Sequence, residues 1–334
     1  MKKLPTIAVI GGGSWATAIV KILSDNNVDK EILWWMRDGQ AIDHIRAYKH
    51  NPNYLSAVEI KIPTANLRHN LSDTIAAADI LLLSVPAAFL KSTLNEITPA
   101  QLSGKKLVSA IKGIIPEDKL IVADFLHQQK DVPYADIMVI GGPCHAEEAA
   151  LEKLSYLTIA GTDPNLVSTF ADMMSTRYIK TNHSDDIFGT EYAAILKNIY
   201  AVASGICHAV GFGDNFQAVL ISNAIREMKR WVNAVHPIAR DINESAYLGD
   251  LLVTAYSQFS RNRTFGHMIG KGYSVKAAQL EMNMVAEGYY AVNSLHHINQ
   301  KYQVDMPICE TVYRIIYEKA SPIEQIRLLS DKLN

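Results

Sequence analysis

The sequence predicts an α/β protein of two domains, a doubly wound and mainly parallel sheet over residues 1–184 and an all-α domain over 185–334. Three observations carry this. A chain of 334 residues exceeds what one hydrophobic core usually supports, so about two domains are expected. Up to Thr181, short β-rich apolar runs at 7–10, 31–35, 80–84, 106–111, 137–140, 156–160 and 178–180 alternate with helical stretches, the rhythm of a parallel sheet. From Asp185 onward strand-like runs become rare, and helical patterns at 188–209, 215–235, 275–301 and 307–319 take over. The polar stretch Thr181-Asn182-His183-Ser184-Asp185-Asp186 is the expected junction, with Ser and Asp residues suited to capping the next helix.

Composition narrows the function. Hydrophobic residues make up 49% and charged residues 20%, which fits a folded globular chain without a long disordered tract. A formal net charge of −2 argues against nucleic acid or an anionic membrane as the main partner, since both need a basic surface. The three cysteines, Cys144, Cys207 and Cys309, are widely spaced and form no zinc or redox pair, which fits a reducing compartment. The basic start Met1-Lys2-Lys3 is followed by an apolar run that breaks at three glycines without a cleavage site, and no run of 18 apolar residues occurs. A cytoplasmic protein is expected, with no membrane insertion, and a homodimer is compatible with the chain.

The first element sets the cofactor. The strand Ile7-Ala8-Val9-Ile10 runs into Gly11-Gly12-Gly13-Ser14-Trp15-Ala16 and then into a helix-compatible stretch, a GxGxxA turn between strand and helix. Gly11 suits the tight turn, Gly13 lets backbone approach a pyrophosphate, and Ala16 allows close packing of helix on strand. The helix N-terminus adds N–H groups and partial positive charge for the anion. This predicts a Rossmann-like domain binding NAD or NADP. The second strand ends at Met36-Arg37-Asp38, where Arg37 can pair with the 2′-phosphate of NADP while Asp38 leaves NAD open.

Four later segments carry candidate chemistry. Ile111-Lys112-Gly113 and Gly141-Gly142-Pro143-Cys144-His145-Ala146-Glu147 both follow predicted strands, where an α/β sheet forms its ligand crevice. Lys112 alone fits an exposed turn equally well, and His145, with no carboxylate or metal partner in sequence, reads as a structural histidine. The segment 193–203 is apolar on nearly all sides except Lys197 and Asn198. A lysine buried in such a helix loses proton affinity and becomes a proton donor or acceptor near neutral pH, whereas one at its edge only snorkels to water. Asp250 is a candidate partner for Lys197, with Thr254 one helical turn further on if the segment is helical. Ser260-Arg261-Asn262-Arg263 before Gly266 suits a phosphate, with guanidinium forks and an amide as donors, although alone it also fits a basic surface loop. No His/Cys/Asp/Glu group has metal-ligand spacing, so no metal is expected.

Together these residues resemble the NAD(P)-dependent glycerol-3-phosphate dehydrogenases. The likeness covers essentially the whole chain, and the order of Ser260-Arg261-Asn262-Arg263 before Phe265-Gly266 is similar to the bacterial type, which serves phospholipid synthesis. The resemblance implies that Lys197 is the catalytic proton acceptor in alcohol oxidation and donor in ketone reduction, supported by Asp250. It implies that Lys112, Gly142, Cys144, Ser260, Arg261 and Asn262 meet the substrate. Ser14, Trp15, Arg37, Ala146, Val285 and Glu287 would line the dinucleotide site, with Lys112 and Arg261 shared by both ligands. The chain departs from the family pattern at Ala16, where glycine is commoner, at Cys144-His145, where serine and a large apolar residue are usual, and at Cys207-His208, where an aspartate is frequent.

Two other readings compete. Another dehydrogenase with a dinucleotide domain before a helical one, of 3-hydroxyacyl or 6-phosphogluconate type, would need a different acid/base arrangement. A non-catalytic dinucleotide sensor would have no use for Lys197, Asp250 and Arg261 together.

Overall fold

The computed structural model describes residues 5–282 and 286–334. Among them, eight strands form one sheet in the order β3-β2-β1-β4-β5-β6-β7-β8. They are β1 Thr6–Ile10, β2 Glu31–Trp35, β3 Leu67–Arg68, β4 Ile80–Leu83, β5 Lys106–Ser109, β6 Ile137–Gly141, β7 Ser155–Gly161 and β8 Ile179–Ser184. Every neighbouring pair is parallel except β6 and β7. The chain runs outward from β1 to β3 and returns to place β4 beside β1, so the strand order reverses between β1 and β4, where such sheets bind dinucleotides. Ile7, Ala8, Val9, Ile10, Leu81 and Leu82 are all buried, as expected for strands covered on both faces.

The chain divides into two units, Met1–Ile111 with Val122–Ile187 and Lys112–Ile121 with Phe188–Asn334. The short segment Lys112–Ile121 groups with the helical unit for two reasons. Ile114 and Ile121 join that unit's apolar core, and the Lys112 carbonyl accepts a hydrogen bond from Asn198 Nδ2 at 2.9 Å.

The helical unit is built around the helix Ile187–Ala209, whose Ile195, Leu196, Ile199, Tyr200, Val202, Ala203 and Ile206 are fully buried. Against it lie the helices Asp214–Val235, Asp250–Tyr256 and Arg261–Gly270, whose Trp231, Leu251 and Phe265 share the same core. The last of these crosses at backbone contact. A Cβ on Gly205 would meet the Arg263 carbonyl oxygen at 2.0 Å, and one on Gly266 would meet the Val202 carbonyl oxygen at 2.1 Å, so only glycines permit the approach.

Three expectations are corrected. The stretch 181–184, expected as part of a polar junction, is the second half of β8, because backbone pairing of Thr181, Asn182, His183 and Ser184 with Leu157, Thr158, Ile159 and Ala160 holds a sheet-edge strand that has little apolar signal of its own. The pattern at 275–301 is two helices, Val275–Glu281 and Glu287–Tyr302, flanked by extended backbone at Met282 and Ala286. In the first turn of the second helix the Gly288 N–H, without an intrahelical acceptor, donates to Asn262 Oδ1 at 2.8 Å. Gly266, in a segment that by sequence also fits a basic surface loop, is a buried residue inside the helix Arg261–Gly270.

Candidate active site

In the first unit, β1 leads through Gly11-Gly12-Gly13 into the helix Ser14–Asp25. Gly11 has φ +137°, and a Cβ there would lie 2.3 Å from the Ser84 carbonyl oxygen. Neither the conformation nor the space admits another residue. Gly13 caps the helix without a side-chain hydrogen bond, and a Cβ built on it meets nothing within 4 Å. Open space thus faces the positive end of a twelve-residue helix, a cradle that fits a pyrophosphate. The turn is held from behind by Asn51, a buried residue whose Nδ2 donates to the Gly12 carbonyl at 3.1 Å and to Thr17 Oγ1 at 2.9 Å.

At the end of β2 the two candidate residues differ. Asp38 is the N-cap of the helix Gly39–Tyr48, its Oδ1 accepting from the N–H groups of Gln40 and Ala41 at 3.0 and 3.2 Å. Arg37 is exposed and makes no hydrogen bond or ion pair among the described residues. Beside it on the sheet, Arg68 pairs in register with Trp35, and its Nε is buried without a hydrogen-bond partner. At the end of β6, Gly142 has φ +98°, Cys144 is buried in the unit's apolar core, and His145 caps the short helix Ala146–Ala150. That helix packs on Ser14–Asp25.

The helical unit holds the titratable cluster. Lys197, 3% exposed, contacts Asp250 Oδ1 through Nζ and donates to Thr254 Oγ1 at 3.0 Å. Thr254 passes its own proton to the Asp250 backbone carbonyl at 2.6 Å, which leaves a hydroxyl lone pair for the ammonium. Asp250 is 1% exposed and begins the helix Asp250–Tyr256, which continues directly from the helical turn Ser245–Gly249. Its Oδ2 has no hydrogen-bond partner and lies 3.6 Å from Lys112 Nζ.

Two lysines therefore share one buried carboxylate. Burial pushes Lys197 down to about 7, Asp250 opposes the shift, and Lys112 adds to it. The direction follows from burial, which disfavours the charged ammonium and outweighs the stabilising contact with Asp250. A lysine that titrates near neutral pH, in contact with a carboxylate, can give or take a proton on demand.

Nearby, Ser260 caps the helix Arg261–Gly270 by accepting from Arg263 N–H at 3.3 Å. Asn262 is 8% exposed, and the Gly288 N–H fixes its amide with Oδ1 inward. Its two Nδ2 protons and the Arg261 guanidinium make no hydrogen bond among the described residues, which leaves them able to donate to an anion. Glu287 precedes Gly288 at the start of Glu287–Tyr302, and Val285 lies outside the described residues.

The sequence-derived candidates thus fall into groups within each unit: Gly11, Gly13, Ser14 and Trp15 in one turn, Gly142, Cys144 and Ala146 at the end of β6, Arg37 at the end of β2, and Lys112, Lys197 and Asp250 in one cluster. Sequence reasoning missed Asn51 and Arg68. Neither has a local signal, since each acts through a neighbour distant in the chain.

Comparison with known proteins agrees with this geometry. Residues 6–167 match the family described as NAD-dependent glycerol-3-phosphate dehydrogenase N-terminus, and residues 186–327 match its C-terminus. The glycerol-3-phosphate dehydrogenase [NAD(P)+] of Staphylococcus carnosus is 33% identical over 326 residues, 97% of each chain. That of Bacillus velezensis is 32% identical over 321 residues, 95% of this chain and 90% of its own. The crystal structure of glycerol-3-phosphate dehydrogenase from Coxiella burnetii superposes with a TM-score of 0.89 at 25% identity, covering 98% of both chains. A turn built for a dinucleotide, a buried lysine poised to titrate near neutrality and near full-length likeness to these enzymes lead to one conclusion, that this chain belongs to the NAD-dependent glycerol-3-phosphate dehydrogenase family of NAD(P)-linked oxidoreductases.

Proposed function

We propose that this protein interconverts dihydroxyacetone phosphate and sn-glycerol 3-phosphate with NAD(P)(H), in the cytoplasm, and supplies glycerol 3-phosphate for glycerophospholipid synthesis. The observation that carries the reading is the buried cluster of Lys197, Asp250, Thr254 and Lys112. The bound dinucleotide supplies the hydride for ketone reduction. Lys197 then gives its proton to the oxygen at C2, and in alcohol oxidation it takes that proton back. Charge developing on that oxygen meets an ammonium held by Asp250 and Thr254, an interaction stronger in the transition state than in the ground state. Lys112 adds a second positive charge to the same cluster.

Ser260, Arg261 and Asn262 hold the phosphate, with Gly142 and the backbone of Cys144 as further substrate contacts. Binding energy gathered at the phosphate positions the reacting carbon. Gly11, Gly13, Ser14, Trp15, Ala146, Val285 and Glu287 serve the dinucleotide, as do Lys112 and Arg261. Asp38 is committed to its helix while Arg37 is unengaged, which favours NADPH, and Arg68 is a second candidate cation for the 2′-phosphate. Residues 1–184 are assigned to the cofactor and 185–334 to substrate and catalysis, with Lys112 joining the latter. That no helix among the described residues is long and apolar enough to cross a membrane is compatible with the cytoplasmic assignment. The test is loss of reduced-nicotinamide absorbance on adding dihydroxyacetone phosphate to protein and NADPH or NADH. No oxidation with either cofactor would sink the proposal.

A further inference from the structure

We propose that His208 and His267 form a binding site for a divalent transition-metal ion of the zinc class, within the helical unit and distinct from the lysine cluster. His208 lies in the last turn of Ile187–Ala209 and His267 lies in Arg261–Gly270. The glycine-to-backbone crossing of these helices, at Gly205 and Gly266, brings the two imidazoles together. Their Nδ1 atoms are 3.4 Å apart and their ring centroids 5.4 Å apart. The difference is close to twice the radius of the ring, so each Nδ1 lies on the side that faces the other.

A separation of 3.4 Å is long for a nitrogen-donated hydrogen bond. It matches a metal bite. With zinc–nitrogen bonds of about 2.0–2.1 Å and a tetrahedral angle of about 109°, two ligating nitrogens stand about 3.3–3.4 Å apart. The torsion that turns a histidine ring is soft, so only a small rotation aims both lone pairs at a shared ion. His208 is exposed, which gives the ion a path in.

Two cations, Lys271 and Arg263, act electrostatically on His267. The same two cations repel a dication, although the exposed position of Lys271 leaves much of that repulsion screened by solvent. Cys207, the adjacent residue, takes no part, because its side chain is buried in the unit's apolar core. No group of three or more His, Cys, Asp or Glu among the described residues is placed to hold a metal, so water completes the coordination and the ion exchanges readily. An ion here ties the helix of Lys197 to the helix of Arg261 and Asn262.

The test is calorimetric titration of the full chain with zinc chloride at pH 7.5 in a non-coordinating buffer, for wild type, His208→Gln and His267→Gln. Wild type should bind one ion per chain and melt at a higher temperature with zinc. Each variant should bind at least ~10-fold more weakly and lose the thermal shift, while melting like wild type without zinc. Crystals soaked in zinc should show an anomalous peak between the two Nδ1 positions. No binding by wild type at millimolar zinc, or an unchanged isotherm in the His208→Gln/His267→Gln double variant, overturns the proposal.

Discussion

Replacing Asp250 by asparagine removes one charge from the buried cluster at nearly constant volume. In wild type, Lys197 titrates at about 7, with Asp250 opposing the downward push of burial and of Lys112. Two unit charges about 4 Å apart at an effective dielectric of about 20 interact by about 4 kcal/mol, which is about three pKa units. Without the carboxylate Lys197 faces only Lys112, and its pKa should fall by about that amount. At pH 7 the protonated fraction then drops from about one half to about one in a thousand. A more acidic ammonium is a better donor, which offsets part of the loss, so kcat/KM for ketone reduction should fall about 10- to 1000-fold. The sharper observable is the pH profile. Reduction needs Lys197 protonated, so kcat/KM declines as pH rises through the lysine's pKa, and in Asp250→Asn that decline should move to acid by about three units. The assay is reduced-nicotinamide oxidation with dihydroxyacetone phosphate across the pH range in which both proteins stay folded. A decline that stays near pH 7 in the variant would refute the electrostatic role given to Asp250.

Arg37→Ala should weaken NADPH by about 1.5–3 kcal/mol, the range for hydrogen bonds to charged groups, while leaving NADH almost unchanged; equal losses for both cofactors would remove the 2′-phosphate from its role. Asn262→Ala should raise KM for dihydroxyacetone phosphate about 10-fold or more with little effect on unphosphorylated dihydroxyacetone, and Arg261→Ala should do the same while also weakening the cofactor. Equal losses on both substrates would mean that the segment is structural. Gly266→Ala sets a Cβ 2.1 Å from the Val202 carbonyl oxygen, so the two helices must separate at a cost of about 3 kcal/mol or more, read as a Tm lowered by several degrees. An unchanged Tm would show that the crossing is looser than described.

The parts of this protein that announced themselves in sequence are those whose physics is local. A strand, three glycines and a small residue before a helix define the dinucleotide turn within about a dozen positions, and Lys197 stood out because it interrupts a run of apolar residues. The parts that did not are set by distant neighbours. Thr181, Asn182, His183 and Ser184 carry no strand pattern, and pairing with β7 makes them one. β3 is two residues long and exists because β2 offers it an edge. Asn51 holds the glycine turn from 39 residues away along the chain, and Asn198 fixes the Lys112 carbonyl across 86 residues. The break after Glu281 was hidden because apolar periodicity resumes on its far side, where the Gly288 to Asn262 hydrogen bond in the next helix's first turn spans 26 residues. In sequence Asp38 reads only as an acid that leaves NAD open, whereas the N–H groups of Gln40 and Ala41 engage it as a helix cap.

The central claim is that Lys197 handles the proton of the reacting oxygen. It is tested most directly by comparing wild type with Lys197→Met for dihydroxyacetone phosphate turnover, with cofactor affinity measured in parallel by nicotinamide fluorescence. The variant keeps the length of the apolar stem and loses only the titrating nitrogen. Turnover should fall at least ~100-fold, within the range expected for loss of a general acid, while cofactor binding stays within about a factor of two, less than one ordinary hydrogen bond would change it. Turnover near the wild-type rate, with the cofactor bound normally, would contradict the account.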